Sequence, residues 1–228
     1  MLKRSLDLVG AFLGLVLLAP LFTAVAIGVK LSSSGPVFFR QERVGKNGVP
    51  FWIYKFRTMT HNPRGKGALV TSQTDNRVTP LGGFLRRKKL DELPQLFNVL
   101  LGQMSLVGPR PEVPRYVQYF PDHFAKVNRQ KPGMTHRVSL LLRHEEKILA
   151  ASSDPEAMYV KEVLPWKLGL YLENDTPDSL ADDIITICRT IIPQGQDELT
   201  QDPFVDSPLV AHETAGGPAT QEVAAAAS

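Results

Sequence analysis

The chain has 228 residues, one cysteine and a formal net charge of +3, so an intrachain disulfide scaffold is excluded. At 43% hydrophobic and 21% charged it is neither wholly disordered nor a multi-span membrane protein. The small net charge hides a division: residues 1–140 carry 21 Lys/Arg against 7 Asp/Glu, a net of +14, while residues 141–228 carry 5 against 16, a net of −11. A basic front of that size points to an anionic surface or ligand.

The first element is an uncharged run of 22 residues, Leu8 to Val29, between Asp7 and Lys30. Three readings compete for it. A cleaved signal peptide would use Lys3 and Arg4 as its basic start and Ala24-Val25-Ala26 as its cleavage site, but the apolar run continues past that site. A straight helix would rise about 33 Å and cross a bilayer core of about 30 Å. The third form enters the membrane, breaks at Pro20 and returns to the same face. Proline in mid-helix removes a hydrogen bond and crowds the preceding turn. Charge favours this re-entrant form. Lys3 and Arg4 precede the run, and residues 30–66 carry eight Lys/Arg against the single acid Glu42. Positive charge marks the cytoplasmic side, and here it marks both flanks.

Residues 37–44 and 49–56 are rich in β-branched and aromatic side chains around Gly45-Lys46-Asn47-Gly48, the pattern of a hairpin. Residues 60–76 are polar, with Pro63, Gly65 and Gly67, and read as a loop. Leu81 to Leu90 and Leu93 to Leu101 follow as short helices. Gly108-Pro109-Arg110-Pro111 is a loop, and 114–130 is predicted helical. Residues 142–151 and 155–173 read as helices with a break near Pro165. In 178–192 the residues Leu180, Ile184, Ile187, Cys188 and Ile191 share a face that packs on the core or lies against lipid, with core packing favoured. Residues 193–228 contain no Lys or Arg and end in a low-complexity stretch, so disorder is expected.

The chemistry concentrates around Asp91 and Glu92, adjacent acids before Leu93-Pro94. An Asp in such a place is ordinarily a helix cap. Ionised and held by a helix start, it is also a nucleophile, and a neighbouring Glu can share a divalent cation with it. The surroundings favour the second role. Lys55 and Arg57 alternate at the end of a predicted strand, Arg86 lies five residues before Asp91, and Arg110 is fixed between prolines. Guanidinium groups suit bidentate phosphate binding, and Mg²⁺ is commonly held by one or two carboxylates with substrate phosphates. The set suits phosphoryl transfer from a diphosphate. The run Arg86-Arg87-Lys88-Lys89 also evokes nucleic acid. Beside an intramembrane segment, anionic headgroups explain Arg87, Lys88 and Lys89 more economically, and no nucleic-acid partner is expected. The five histidines show no zinc-ligand spacing.

KRSLDLVGAFLGLVLLAPLF, then GPVFFRQERVGKNGVPFWIYKFRTM, then TPLGGFLRRKKLDELPQLFNVLLGQMSLVGPRPE closely resembles the bacterial sugar transferases that initiate glycan assembly, the monotopic phosphoglycosyl transferases, and KPGMT…LLRHEEKILA…EVLPWKLGLYLE resembles their short, catalytic-domain-only members. The resemblance covers roughly residues 2–137. It implies transfer of a sugar phosphate from a UDP-sugar to polyprenyl phosphate, with release of UMP, at the cytoplasmic face of the bacterial inner membrane. Asp91 would attack the β-phosphate and form a phosphosugar intermediate, and Mg²⁺ would bridge Asp91, Glu92 and the diphosphate. Lys55, Arg86 and Arg110 fall on the family's basic positions, and Arg57 lies in the same KFRTM motif. Two positions depart from the family's common pattern: Ala19 stands where it often has a serine before the membrane proline, and Gln103 where it often has an aspartate.

The expected fold class is α+β, mainly short helices around a small β-hairpin with a re-entrant membrane helix broken at Pro20. The expected division is a membrane-inserted segment 1–31, a catalytic domain 32–192 and an acidic tail 193–228. Anionic lipids are expected partners, with a second copy of the chain or downstream glycosyltransferases as further ones. A membrane-anchored scaffold without catalysis is the alternative. The sugar is not legible; parts of 60–76 and 131–147 are expected to line its pocket.

Overall fold

In the computed structural model, which describes residues 2–60, 77–142, 145–150, 152–173 and 179–192, the apolar run forms two helices. These are α1 (Leu2–Leu17) and α2 (Ala19–Ser32), bent by 62° at their junction. The break falls at Leu18, and Pro20 sits in the first turn of α2. Proline is tolerated there because the N–H it lacks has no helical partner, so α2 starts around Pro20 instead of α1 continuing through it. The 16- and 14-residue arms rise about 24 and 21 Å, short of a core of about 30 Å. Among the described residues no single helix is long and apolar enough to cross a membrane; the bent pair together has the length and composition to do so.

Both outer ends of the pair are fastened to one body. On α1, Arg4 donates to the carbonyls of Val99 (2.8 Å) and Leu100 (3.2 Å). The buried Asp7 carboxylate accepts from Ser105 Oγ and Leu106 N, both at 2.8 Å. On α2, Val25 and Val29 are buried with Phe56 and Leu85. Between these anchors Val9, Phe12, Leu13, Val16 and Leu17 stay exposed.

The expected hairpin is β1 (Phe38–Val44) and β2 (Pro50–Phe56), antiparallel from Phe38↔Phe56 to Val44↔Pro50. Its turn places Asn47 and Gly48 at φ 56° and 78°, residues that enter left-handed space at low cost. Phe51 and Ile53 point inward and Trp52 outward, the alternation of a strand covered on one face. Helix α3 (Pro80–Arg87) begins where Thr79 Oγ1 accepts from Gly82 N at 2.9 Å, a side-chain cap followed by proline. After a 3-10 turn over Leu90–Glu92 comes α4 (Gln95–Leu100).

A second, parallel pair was not visible in the sequence: β3 (Ser105–Val107) with β4 (Gly133–Thr135). Three residues are too few to show a period. What permits the pair is glycine at both Gly108 and Gly133. A Cβ on Gly133 would meet Gly108 N at 2.1 Å, and one on Gly108 would meet the Lys131 carbonyl at 2.4 Å.

The helix expected over 114–130 is split into α5 (Pro114–Val117) and α6 (Pro121–Val127), because Pro121 supplies no N–H to continue it. Then follow α7 (Arg137–Leu141), α8 (Glu145–Ala150) and α9 (Pro155–Met158). A π-helical turn, Tyr159–Val163, leads into α10 (Leu164–Glu173). The break expected near Pro165 thus takes the form of a widened turn just before it.

The last described helix, α11 (Leu180–Ile191), starts with a capping box between Ser179 and Asp182. Its orientation corrects the expected core packing. Asp183 and Thr186 are its buried residues, while Ile184, Ile185, Ile191 and Ile192 are exposed.

The fold is therefore α+β, short helices around two small sheets, with three apolar clusters instead of one. Phe51, Ile53, Leu96, Val99 and Met104 pack with Ala11 of α1. Phe56 and Leu85 pack with α2. The third cluster spans Val113 to Tyr171. The tail 193–228 and most of the loop 60–76 lie outside the described residues.

Candidate active site

The acids stand between α3 and α4. Helix α3 ends at Arg87 with Lys88 as its C-cap, and Lys89 turns the chain at φ 54°, a left-handed conformation that costs a side-chain-bearing residue energy. The turn delivers Asp91 into the interior, 7% exposed. Asp91 does not cap α4, which begins without a side-chain cap hydrogen bond. Its Oδ1 is buried and has no hydrogen-bond partner among the described residues. Burial, and then the charge of Glu92, push its carboxyl above the ordinary range, against the pull of Lys55, Arg86 and Lys89. An unpaired buried oxygen of this kind is costly in a folded protein.

Glu92 is its opposite. Its Oε1 accepts from Lys55 Nζ at 2.8 Å and from Arg110 Nη2 at 2.5 Å, and its Oε2 accepts from Arg110 Nη1 at 3.1 Å. Burial opposes its charge, yet Arg110 and Lys55 outweigh burial and hold the carboxyl well below the usual range. Glu92 in turn raises Arg110. Burial lowers Lys55, and Glu92 offsets only part of that. The adjacent acids are driven in opposite directions, the pattern that separates roles in acid pairs.

Lys55, Arg110 and Glu92 are thus brought together, with Arg86 acting on Asp91 while its Nε donates to Thr58 Oγ1 at 3.1 Å. Arg57 is not brought there, which corrects its expected phosphate-binding role. Its guanidinium donates to the carbonyls of Val29 (3.1 Å), Ser33 (2.7 Å) and Ser34 (2.8 Å), in and just beyond the last turn of α2. The alternation argument failed because β2 ends at Phe56; beyond the strand a two-residue spacing no longer fixes a face. Arg87, Lys88 and Lys89 are exposed.

Position 103 is part of a brace. Asn98, fully buried, donates from Nδ2 to the Gln103 Oε1 (2.7 Å) and the Trp52 carbonyl (2.8 Å), and its Oδ1 accepts from Tyr54 N (3.0 Å). Gln103 therefore serves the join between β2 and α4.

Sequence reasoning missed a second ionic cluster beyond the Arg110 loop. Glu112 accepts from Arg43 Nη1 (3.1 Å), from Val113 N (2.8 Å) and from the Tyr159 hydroxyl. Lys167 binds Glu145 (3.0 Å) and Tyr159 (3.4 Å). Arg110 N donates to Tyr171 Oη at 3.2 Å. The partners are scattered along the chain, and no spacing marks them.

Among the described residues no three His, Cys, Asp or Glu converge on one point. Two carboxylates still suit Mg²⁺, which keeps most of its shell as water and phosphate oxygen. The unpaired Asp91 Oδ1 fits that role, and Glu92 Oε2, with one hydrogen-bond donor, has a lone pair left.

A buried acid with a free oxygen, a charge-balanced acid next to it and fixed cations around both thus stand together on a protein with an apolar helix pair. The chain belongs to the bacterial sugar transferase family, whose family model matches residues 1–172. It is 46% identical over 137 residues to a UDP-glucose:undecaprenyl-phosphate glucose-1-phosphate transferase of Xanthomonas campestris pv. campestris, covering 58% of this chain and 28% of that protein. To the Escherichia coli (strain K12) protein of the same name it is 46% identical over 139 residues, 59% of this chain and 30% of that one. To a UDP-N-acetylgalactosamine-undecaprenyl-phosphate N-acetylgalactosaminephosphotransferase of Aeromonas hydrophila it is 48% identical over 119 residues, 52% and 28%. The chain spans about three tenths of the length of these relatives.

Proposed function

We propose that this chain transfers a sugar phosphate from a UDP-sugar to polyprenyl phosphate, as the initiating step of a cell-surface glycan. The observation that carries the reading is the buried Asp91 Oδ1, with no partner among the described residues, beside a Glu92 held by Lys55 and Arg110. An Asp91 oxygen attacks the β-phosphorus, the bond from that phosphorus to the α–β bridging oxygen breaks, and UMP leaves with the bridging oxygen. A phosphate oxygen of the lipid then attacks the same phosphorus and displaces the Asp91 carboxylate, giving a polyprenyl diphosphate sugar. Arg110, Lys55 and Arg86 offset the charge gathered on the phosphoryl oxygens. Mg²⁺, held by Asp91 and Glu92 with the diphosphate, would supply further neutralisation.

The two ends of the helix pair, fastened to one body, support insertion from one face only, with the catalytic part on the cytoplasmic side. Lys88 and its basic neighbours then meet anionic headgroups. The named relatives use different sugars at similar identity, so the likeness follows the reaction and not the donor.

The test is UMP release from a panel of UDP-sugars with Mg²⁺ and no acceptor. The two-step route gives one UMP per enzyme, followed by turnover when polyprenyl phosphate is added. UMP released only after acceptor addition would sink the covalent step, and none from any donor would sink the activity.

A further inference from the structure

We propose that α11 is a membrane-contact helix that lies along the lipid surface with its isoleucine face in the lipid. Its polarity is inverted for a helix in water. At about 100° per residue, Leu180, Ala181, Ile184, Ile185, Ile187, Cys188, Ile191 and Ile192 form one continuous apolar arc, and Asp183, Thr186 and Thr190 lie opposite. The protein buries the polar side at Asp183 and Thr186. Asp183 and Thr186 are 1% and 2% exposed, whereas Ile185, Ile192 and Ile191 are 50%, 61% and 74% exposed. In water alone burial of the apolar face would win.

Rolling the helix over is prevented by what holds the polar side. Lys3 pairs with Asp183 at 2.5 Å, and the hydroxyls of Thr190 and Thr135 are 2.6 Å apart. The elements it packs on most, β3, β4 and α7, are reached through that side.

Lipid is the occupant that the position specifies. Lys3 belongs to the first turns of α1, just before the apolar run, so its ion pair fixes α11 where the chain enters the membrane. The exposed apolar surface of α1 begins there, with Leu2 at 69%. At 12 residues, about 18 Å, α11 is too short to cross and suits an in-plane helix. The inference rests on insertion of α1 and α2 and adds a second contact outside the matched segment 1–172.

The chain's only cysteine, Cys188, is exposed on this face and is a native reporter. The full chain is labelled there in detergent with a polarity-sensitive fluorophore and reconstituted in nanodiscs containing anionic phospholipid. Quenching is then read with headgroup-proximal nitroxide lipid and with aqueous iodide. Ala125→Cys on α6 and Leu17→Cys at the bend, each combined with Cys188→Ser, serve as water and lipid references. The expected result is strong nitroxide quenching at Cys188 with iodide quenching several-fold weaker than at Ala125→Cys. Iodide access equal to that at Ala125→Cys overturns the inference. So does shielding from both quenchers, which would place a second copy or residues 193–228 over the face. Lipid quenching at Leu17→Cys with none at Cys188 overturns this inference alone; its absence at both positions overturns membrane insertion as well.

Discussion

Two buried ionic clusters flank the Pro109–Pro111 loop, and they differ in what they leave unpaired. Around Glu92, two cations converge on one acid while the adjacent Asp91 keeps a bare oxygen. Around Glu112, both carboxylate oxygens, the Tyr159 hydroxyl and Lys167 all have partners. The first arrangement leaves an unsatisfied acid oxygen beside fixed cations, and the second fixes the loop carrying Arg110. The difference teaches that polar burial here takes two forms: complete satisfaction, which gives rigidity, and incomplete satisfaction, which leaves an oxygen open to a ligand.

The sharpest way to break this contrast is Asp91→Asn. UMP release should fall by roughly three orders of magnitude, as for loss of a covalent nucleophile. Thermal stability should hold or rise, since a buried unpaired charge is removed. Activity retained by the variant would return Asp91 to a structural role.

Glu112→Gln should do the reverse, costing about 3–5 kcal/mol by leaving the buried Arg43 without its counter-charge, measured by urea unfolding. The same cluster sets an acid dependence. Burial opposes the Glu112 charge, but Arg43 and Lys167 prevail and hold its carboxyl below the ordinary value. The unfolded chain therefore takes up the proton first as the pH drops. The stability from this group is complete above an unfolded value of about 4.3 and is lost as the pH falls through the lower folded one. Glu112→Gln should flatten that part of the stability curve, and an unchanged curve would show that the cluster contributes nothing.

Arg57→Met should cost about 2 kcal/mol through the Ser33 and Ser34 carbonyls that lose its guanidinium with no change in KM for the UDP-sugar. A large KM increase would restore it to the phosphate site. Tyr171→Phe is the smallest effect expected. One hydrogen bond to Arg110 N, about 1 kcal/mol, should raise that KM roughly fivefold with little change in Tm. An unchanged KM would mean that the loop holds its place without α10.

The hairpin, the bent apolar pair and the grouping of Lys55, Asp91, Glu92 and Arg110 were legible because each rests on neighbours in sequence. Alternation, a proline in an uncharged run and adjacent acids before Leu93-Pro94 act over a few residues, and local rules bind there. Arg57 was misread at the point where its strand stopped. The α11 face was misread because periodicity shows that a helix has two sides, and only the contacts of Asp183 and Thr186 tell which one is covered.

The sequence by itself determined the hairpin, the acid pair and the broken apolar run of the N-terminus, since hydrophobic period and turn chemistry are short-range properties. Only the tertiary structure decided that Glu92 is neutralised while Asp91 is not, that Glu112 and Tyr171 brace the Arg110 loop, and that α11 turns its isoleucines outward. Those outcomes depend on which distant side chains share a small dry volume. There a single pairing outweighs local preference because a buried charge without a partner costs more than a misplaced apolar group.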